Sequence, residues 1–183
     1  HDTAIVGSLS CNLLDEGRCV NRCFFMTPDG LKGWYDKRHL FRFAGEDASY
    51  SPGAEHVIIP WRGWNVLLQI CYDLRFPESS RNDGDSPYDL ALYVANWPEV
   101  RTSAWKTLLQ ARAIENQAYV GGVNRIGVDA NGINHSGSSA IHHPKGQLLA
   151  TSTRQETHWV SATLSKAELN DYRNRFPVLQ DVI

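Results

Sequence analysis

The sequence predicts a mixed α/β domain with sheet-rich ends. Three observations carry this: short strand-like runs separated by turns in the first third, two buried apolar runs flanking a proline-marked helix start, and one long segment with helical spacing. Gly, Pro and Asp punctuate the chain at short intervals. No repeat, linker or low-complexity tract interrupts it, so residues 1–183 read as a single domain.

Residues 4–10 and 20–26 are strand-like, Thr27-Pro28-Asp29-Gly30 marks a turn, and residues 33–36 lead into Lys37, an order that predicts an antiparallel meander. After an irregular stretch at 43–53 come strands at 57–60 and 65–70. The second is apolar nearly throughout, as expected of a strand buried on both faces, and it ends at Cys71. Pro77 suits the first residue of a helix, where a missing N–H costs nothing, and 90–95 is another buried strand ending at Asn96-Trp97-Pro98. Together these form a strand–helix–strand unit.

From 102 to 117, Trp105, Leu108, Leu109, Arg112, Glu115 and Asn116 recur at i, i+3, i+4 spacing, which predicts an amphipathic helix opened by Thr102 or Ser103. Arg112 and Glu115, three apart on that face, read as a structural pair. Strands at 119–124, 138–142, 147–151 and 158–164 and a short helix at 166–173 complete the expectation.

Composition excludes several classes. With 42% hydrophobic and 21% charged residues the chain can fill a core, which sets disorder aside. The net charge of −2 comes from interspersed signs, so no basic stripe for nucleic acid exists. The longest apolar runs, 66–70 and 90–95, are far too short to span a bilayer. Cys11, Cys19, Cys23 and Cys71 form no CxxC pair and are too sparse for a disulfide scaffold, which favours a reducing cytoplasmic setting. A zinc site built from them and His39 would need paired ligand spacings that are absent. The chain opens at His1 and enters a strand almost at once, and we expect a further segment to precede it.

The chemistry centres on Cys71. A cysteine where a buried strand gives way to a turn is held rigidly, with free backbone N–H groups near its sulfur for a developing oxyanion. No GxSxG elbow offers a serine instead, and Gly137-Ser138-Ser139 lacks both the glycine and the preceding strand.

The segment Ile70-Cys71-Tyr72-Asp73-Leu74-Arg75-Phe76-Pro77-Glu78 resembles the nucleophile motif of nitrilase-superfamily carbon–nitrogen hydrolases. Upstream, Tyr35-Asp36-Lys37-Arg38-His39-Leu40-Phe41 resembles their lysine motif, and Arg112-Ala113-Ile114-Glu115-Asn116-Gln117 with strand 119–124 resembles a third segment in the same order. The tail through Tyr172 and Phe176-Pro177 is similar to the omega-amidase branch, whose members hydrolyse monoamides of 2-oxo-dicarboxylic acids such as 2-oxoglutaramate.

The resemblance implies an α-β-β-α sandwich, a homodimer, no metal and no cofactor. It implies that Cys71 is the nucleophile, that Lys37 and the backbone N–H of Tyr72 hold the oxyanion, and that Glu46 is a second glutamate orienting Lys37 and water. The family's first glutamate, the general base, precedes the lysine by a long stretch. Glu16, in the turn Asp15-Glu16-Gly17, does not fit that position, so the base is expected in a preceding segment. Asn96, Trp97 and Arg101 follow a neighbouring strand, where Trp97 can wall the substrate site, and either Arg75 or Arg101 can bind a substrate carboxylate. The alternatives are another amidase or carbamoylase branch and a non-catalytic binding module.

Overall fold

The turn residues that punctuate the first third close a meander in which β1 (Ile5–Leu13), β2 (Arg18–Thr27) and β3 (Gly30–Asp36) pair antiparallel in that order. In the computed structural model, residues 2–83, 87–152 and 159–181 are described. The chain continues through β4 (Ile58–Trp61), β5 (Trp64–Ile70), β6 (Leu90–Ala95), α1 (Thr102–Glu115) and β7 (Tyr119–Asn124). A small hairpin of β8 (Ile126–Val128) and β9 (Asn134–Ser136) follows, then β10 (Ala140–His142), β11 (Leu148–Thr151) and α2 (Lys166–Arg175). Six of these strands form one mixed sheet in the order β11-β10-β7-β6-β5-β4, with β5, β6 and β7 parallel.

The near-continuous apolar run of β5 is explained by burial on both faces. Val66, Leu68 and Ile70 meet Cys23, Phe25 and Tyr35 of the three-stranded sheet, whereas Leu67 packs with Trp105, Leu109 and Ala113 of α1. Each fully buried side chain of this size contributes about 1.5–3 kcal/mol of transfer free energy. The layers are therefore helix, sheet and sheet, the α/β sandwich that the motifs imply. Gly122 shows how closely α1 sits on β7: a Cβ there would lie 2.5 Å from Leu109 Cδ1 and 2.8 Å from the Trp105 ring. The outer face of the three-stranded sheet exposes Ile5, Leu9, Leu31 and Trp34.

Three local expectations are corrected. The connection after β5 is not an α-helix from Pro77 but two 3-10 segments, Cys71–Arg75 and Pro77–Ser79. Its polar groups are claimed by distant partners: Ser79 Oγ donates to Gln69 Oε1 at 2.7 Å and Tyr88 Oη donates to the Ser80 carbonyl at 2.7 Å. Thr102 does not cap α1; a 3-10 turn at Glu99–Arg101 leads into the helix, and Thr102 Oγ donates back to the Glu99 carbonyl at 2.7 Å. The strand expected at 158–164 is absent over 159–164, where no ladder partner is present, while His158 lies outside the described residues. Arg112 does pair with Glu115 at 2.9 Å and also donates to the Leu74 carbonyl at 2.7 Å, tying α1 to the turn after Cys71.

Candidate active site

The C-terminal ends of β5, β6 and β7 open into a cleft of about 680 Å3, lined among others by Lys37, Glu46, Cys71, Asn96 and Arg125 and walled by β1 at Gly7 and Ser8. Strand C-termini leave unpaired backbone groups pointing outward, so polar ligands gather there.

Cys71 is the first residue beyond β5 and has φ +45°, a left-handed conformation that side chains with a Cβ adopt at a cost of about 1–3 kcal/mol. The bend turns the chain out of the strand and into the Cys71–Arg75 segment. The N–H of Tyr72 lies in the first turn of that segment, where helical geometry supplies no acceptor, and it is therefore open to a ligand. The Sγ of Cys71 lies 3.9 Å from the Asn96 carbonyl. Burial pushes the Cys71 thiol up to about 11; the Lys37 charge and the Asn96 contact pull it back, and the carboxylates of Glu46 and Asp73 push it further up.

Lys37 follows β3 and is 3% exposed. Its Nζ donates to both oxygens of Glu46, at 2.8 and 2.6 Å. Glu46 also accepts the Phe41 N–H at 2.6 Å and Asn21 Nδ2 at 3.4 Å. A carboxylate with this set of donors is fixed in orientation and holds the ammonium in place. An ammonium has three N–H donors; Glu46 engages two oxygens' worth, leaving one for a ligand in the cleft.

The loop that carries Glu46 is pressed against the end of β3. Gly53 N donates to the Lys37 carbonyl at 2.9 Å, and a Cβ on Gly53 would lie 2.2 Å from the Asp36 carbonyl oxygen. Only glycine permits that approach.

A second, smaller hollow of about 170 Å3 shares Cys71 and Asn96 with the cleft and reaches Arg75, Trp97, Arg101 and His135. Arg75 lies over the Trp97 ring at 5.1 Å, and Arg101 over Phe41 at 5.3 Å and Phe43 at 5.6 Å. Neither guanidinium has a carboxylate partner among the described residues. Trp97 is itself buried, packed on Trp105 and donating from Nε1 to the Arg101 carbonyl at 2.8 Å, so it forms the floor of this hollow.

Of the site residues expected from sequence, Lys37, Glu46, Cys71 and Asn96 line the cleft, and Tyr72, Arg75, Trp97 and Arg101 line the adjoining hollow. Sequence reasoning missed three that hold it together. Asn21 touches Glu46 from β2. Asn124, at the end of β7, accepts the Trp97 N–H at 2.7 Å and donates to the carbonyls of Trp97 at 3.1 Å and Gly137 at 2.8 Å, fixing the Asn96–Trp97 turn. Asp73 lies within the quoted nucleophile motif, yet besides the Ile70 N–H its partners, Tyr35 and His39, are more than 30 residues away. Glu16, by contrast, pairs with Arg18 in an exposed turn and takes no part. Among the described residues no group of His, Cys, Asp or Glu side chains is arranged to hold a metal, and no helix is long and apolar enough to cross a membrane.

Known proteins resemble this chain in sequence and fold. The chain is 50% identical over 177 residues to the omega-amidase YafV of Escherichia coli, covering 97% of this chain and 68% of that protein. It is 36% identical over 167 residues to the 2-oxoglutaramate amidase of Paenarthrobacter nicotinovorans, covering 88% of this chain and 56% of that one. The crystal structure of XC1258 from Xanthomonas campestris, a CN-hydrolase superfamily protein with an arsenic adduct in the active site, superposes with a TM-score of 0.93 at 44% identity, covering all of this chain and 70% of that one. The carbon–nitrogen hydrolase family profile matches residues 1–174, and with these relatives it shows that the chain belongs to the carbon–nitrogen hydrolase family.

Proposed function

We propose that this chain is an amidase that hydrolyses a small carboxylate-bearing amide of the 2-oxoglutaramate kind to acid and ammonia through a thioester on Cys71. The observation that carries the assignment is the juxtaposition, in one cleft, of a cysteine held in a left-handed bend at a strand end and a buried lysine gripped by Glu46. The relatives named omega-amidase and 2-oxoglutaramate amidase support the substrate class.

In this mechanism the Cys71 sulfur attacks the amide carbon, and the oxyanion is met by Lys37 Nζ and the Tyr72 N–H. Ammonia leaves on protonation, and water then cleaves the thioester on the same sulfur. Glu46 acts through Lys37, as a positioning residue. With its thiol pushed up to about 11, Cys71 needs a base at neutral pH. Glu46 and Asp73, the carboxylates that act on its charge, are both engaged as acceptors of several hydrogen bonds. The resemblance gives the base's role to a further carboxylate, a glutamate preceding the lysine.

Arg75 and Arg101, stacked on rings and without acidic partners, are the candidates for the substrate carboxylate, with Asn96 and Trp97 shaping the passage between the cleft and the hollow. No cofactor enters the scheme, since thiolate, ammonium and carboxylate supply the charge stabilisation and proton transfer. We read residues 1–183 as one domain of this enzyme, a cytoplasmic setting as favoured by its four free thiols, and a homodimer as supported by exposed apolar side chains such as Leu148 and Phe176.

Ammonia release from 2-oxoglutaramate by the native protein, beside a simple aliphatic amide, is the direct test. Cys71→Ala is expected to lower the rate at least about 10⁴-fold with the fold intact. A folded wild type that releases ammonia from neither amide would instead favour a binding module.

A further inference from the structure

Lys37 and Cys71 follow strands of different sheets, so no strand ladder fixes one against the other. Hydrogen bonds reach across this gap through one fully buried carboxylate, that of Asp73, two residues after the nucleophile. Its Oδ2 accepts from Tyr35 Oη at 2.8 Å and from the Ile70 N–H at 3.0 Å. Its Oδ1 accepts from the His39 N–H at 3.0 Å and lies 2.9 Å from His39 Nδ1. Because the other donors leave Asp73 as the acceptor, Nδ1 carries the hydrogen in this contact. Tyr35 Oη also accepts the Arg38 N–H at 3.2 Å. The residues on both sides of Lys37 are thus tied to a single acidic group in the Cys71 turn.

The His39 ring is fixed a second time. It stacks on Phe76, with centroids 3.9 Å apart and planes inclined by 9°. Phe76 meets Tyr72 edge-on at 5.1 Å, and Tyr72 packs on Phe41 at 4.8 Å. The donors expected to meet the oxyanion, on Lys37 and Tyr72, are therefore both connected to His39, one through the backbone and one through rings.

We infer that His39 and Asp73 form a positioning pair that sets the spacing of Lys37 and Cys71, with the Nδ1–H to Oδ1 hydrogen bond as its adjustable element. His39 does not line the catalytic cleft and touches no reacting atom. Its loss acts in two ways with one sign. Lys37 is freed to move from the sulfur, and Asp73 loses a hydrogen bond that spreads its negative charge. The charged groups that act on Cys71 are Lys37, which favours the thiolate, and Glu46 and Asp73, which oppose it; Arg125 also lines the cleft. Both consequences disfavour the thiolate.

The test compares His39→Asn, His39→Gln and His39→Phe in the native protein. Asparagine can place an amide N–H where Nδ1 stands, glutamine places it near Nε2, and phenylalanine keeps the stack on Phe76 without any donor. Two readouts apply: kcat and KM for ammonia release, and the rate of Cys71 alkylation by iodoacetamide against pH, followed on the Cys71 peptide by mass spectrometry. The kinetic arm rests on the amidase assignment, whereas alkylation does not, so failure of one is distinguishable from failure of the other.

For His39→Phe and His39→Gln, kcat is expected to fall about 10–100-fold with KM changed less than about threefold, as for displacement of a catalytic group by about 1 Å. Their alkylation profiles should move to higher pH, and His39→Asn should restore most of both. A merely structural histidine would lower the melting temperature without moving the alkylation profile. The inference is overturned if His39→Asn and His39→Gln are indistinguishable, or if folded His39→Phe alkylates with the wild-type profile. Should His39→Phe fail to fold, the Asn and Gln pair decides alone.

Discussion

At the C-terminal ends of the parallel strands Lys37 meets Glu46 beneath an open cleft, while at the N-terminal ends Asp89 meets Lys166 and Arg173 beneath α2. The second cluster is closed. Arg173 donates to Asp89 Oδ1 at 3.1 Å, to the Tyr88 carbonyl at 2.6 Å and to the Gln117 carbonyl at 2.9 Å, and Asp89 Oδ2 takes the Asn65 N–H at 2.8 Å. These contacts cap the entries to β5, β6 and β7 and dock the last helix. The first cluster uses the same ion-pair chemistry but leaves donor capacity on Lys37 facing a cleft that also holds a strained cysteine. Burying a charge is costly in both places. At one end the charge orders the chain; at the other, in the proposed mechanism, it is held ready for a reaction.

The sharpest way to break that comparison is Asp89→Ala. Removing one partner of a buried pair costs about 3–5 kcal/mol, which for a chain of this size lowers the melting temperature by about 6–20 °C. Calorimetry should show this loss while kcat measured well below the transition stays within a few-fold of wild type. A collapse of kcat at full folding would mean that the two ends are coupled.

Lys37→Met is the mirror experiment. Loss of an oxyanion donor is expected to lower kcat by about 10²–10³-fold, or about 2.7–4 kcal/mol in the barrier. Cys71 alkylation should move to higher pH in the same variant, because Lys37 favours the thiolate. Unchanged steady-state rates would remove Lys37 from the chemistry.

Arg75→Gln and Arg101→Gln sharpen the open end further. A hydrogen bond to a charged group contributes about 1.5–3 kcal/mol, so the arginine that holds the substrate should lose about 10–100-fold in kcat/KM for a carboxylate-bearing amide and little for a neutral one. If neither variant discriminates between the two amides, the smaller hollow is not the carboxylate site.

The smallest effect concerns alkaline stability. The unfolded thiol releases its proton near the ordinary value of 9.0, whereas folded Cys71 holds it to about 11. This contribution is fully present below pH 9 and is lost as pH rises towards 11. Over that window the wild-type melting temperature should fall more steeply than that of Cys71→Ser. Parallel curves would show that the thiol is not held protonated by burial.

Much of the fold was legible because its signals are local. The turn Thr27-Pro28-Asp29-Gly30, the two-faced apolar run of β5 and the helical spacing of α1 each depend on neighbours a few residues away. The helix expected after Pro77 was misjudged for the opposite reason. Asn82 there donates to the carbonyls of Tyr88 and Asn116, and such distant partners replace the intrahelical bonds that local propensity anticipates.

The sequence by itself determined which groups this protein can use: Cys71 at a strand end, Lys37 and Glu46 nine residues apart, and arginines near an aromatic turn. Only the tertiary structure decided how they are held. Asp73 reaches His39 across 34 residues, Asn124 reaches Trp97 across 27, and Arg173 reaches Asp89 across 84. A hydrogen bond is decided by an angle and a distance of about 3 Å, and these are set when separate sheets and helices pack, not by the order of residues along the chain.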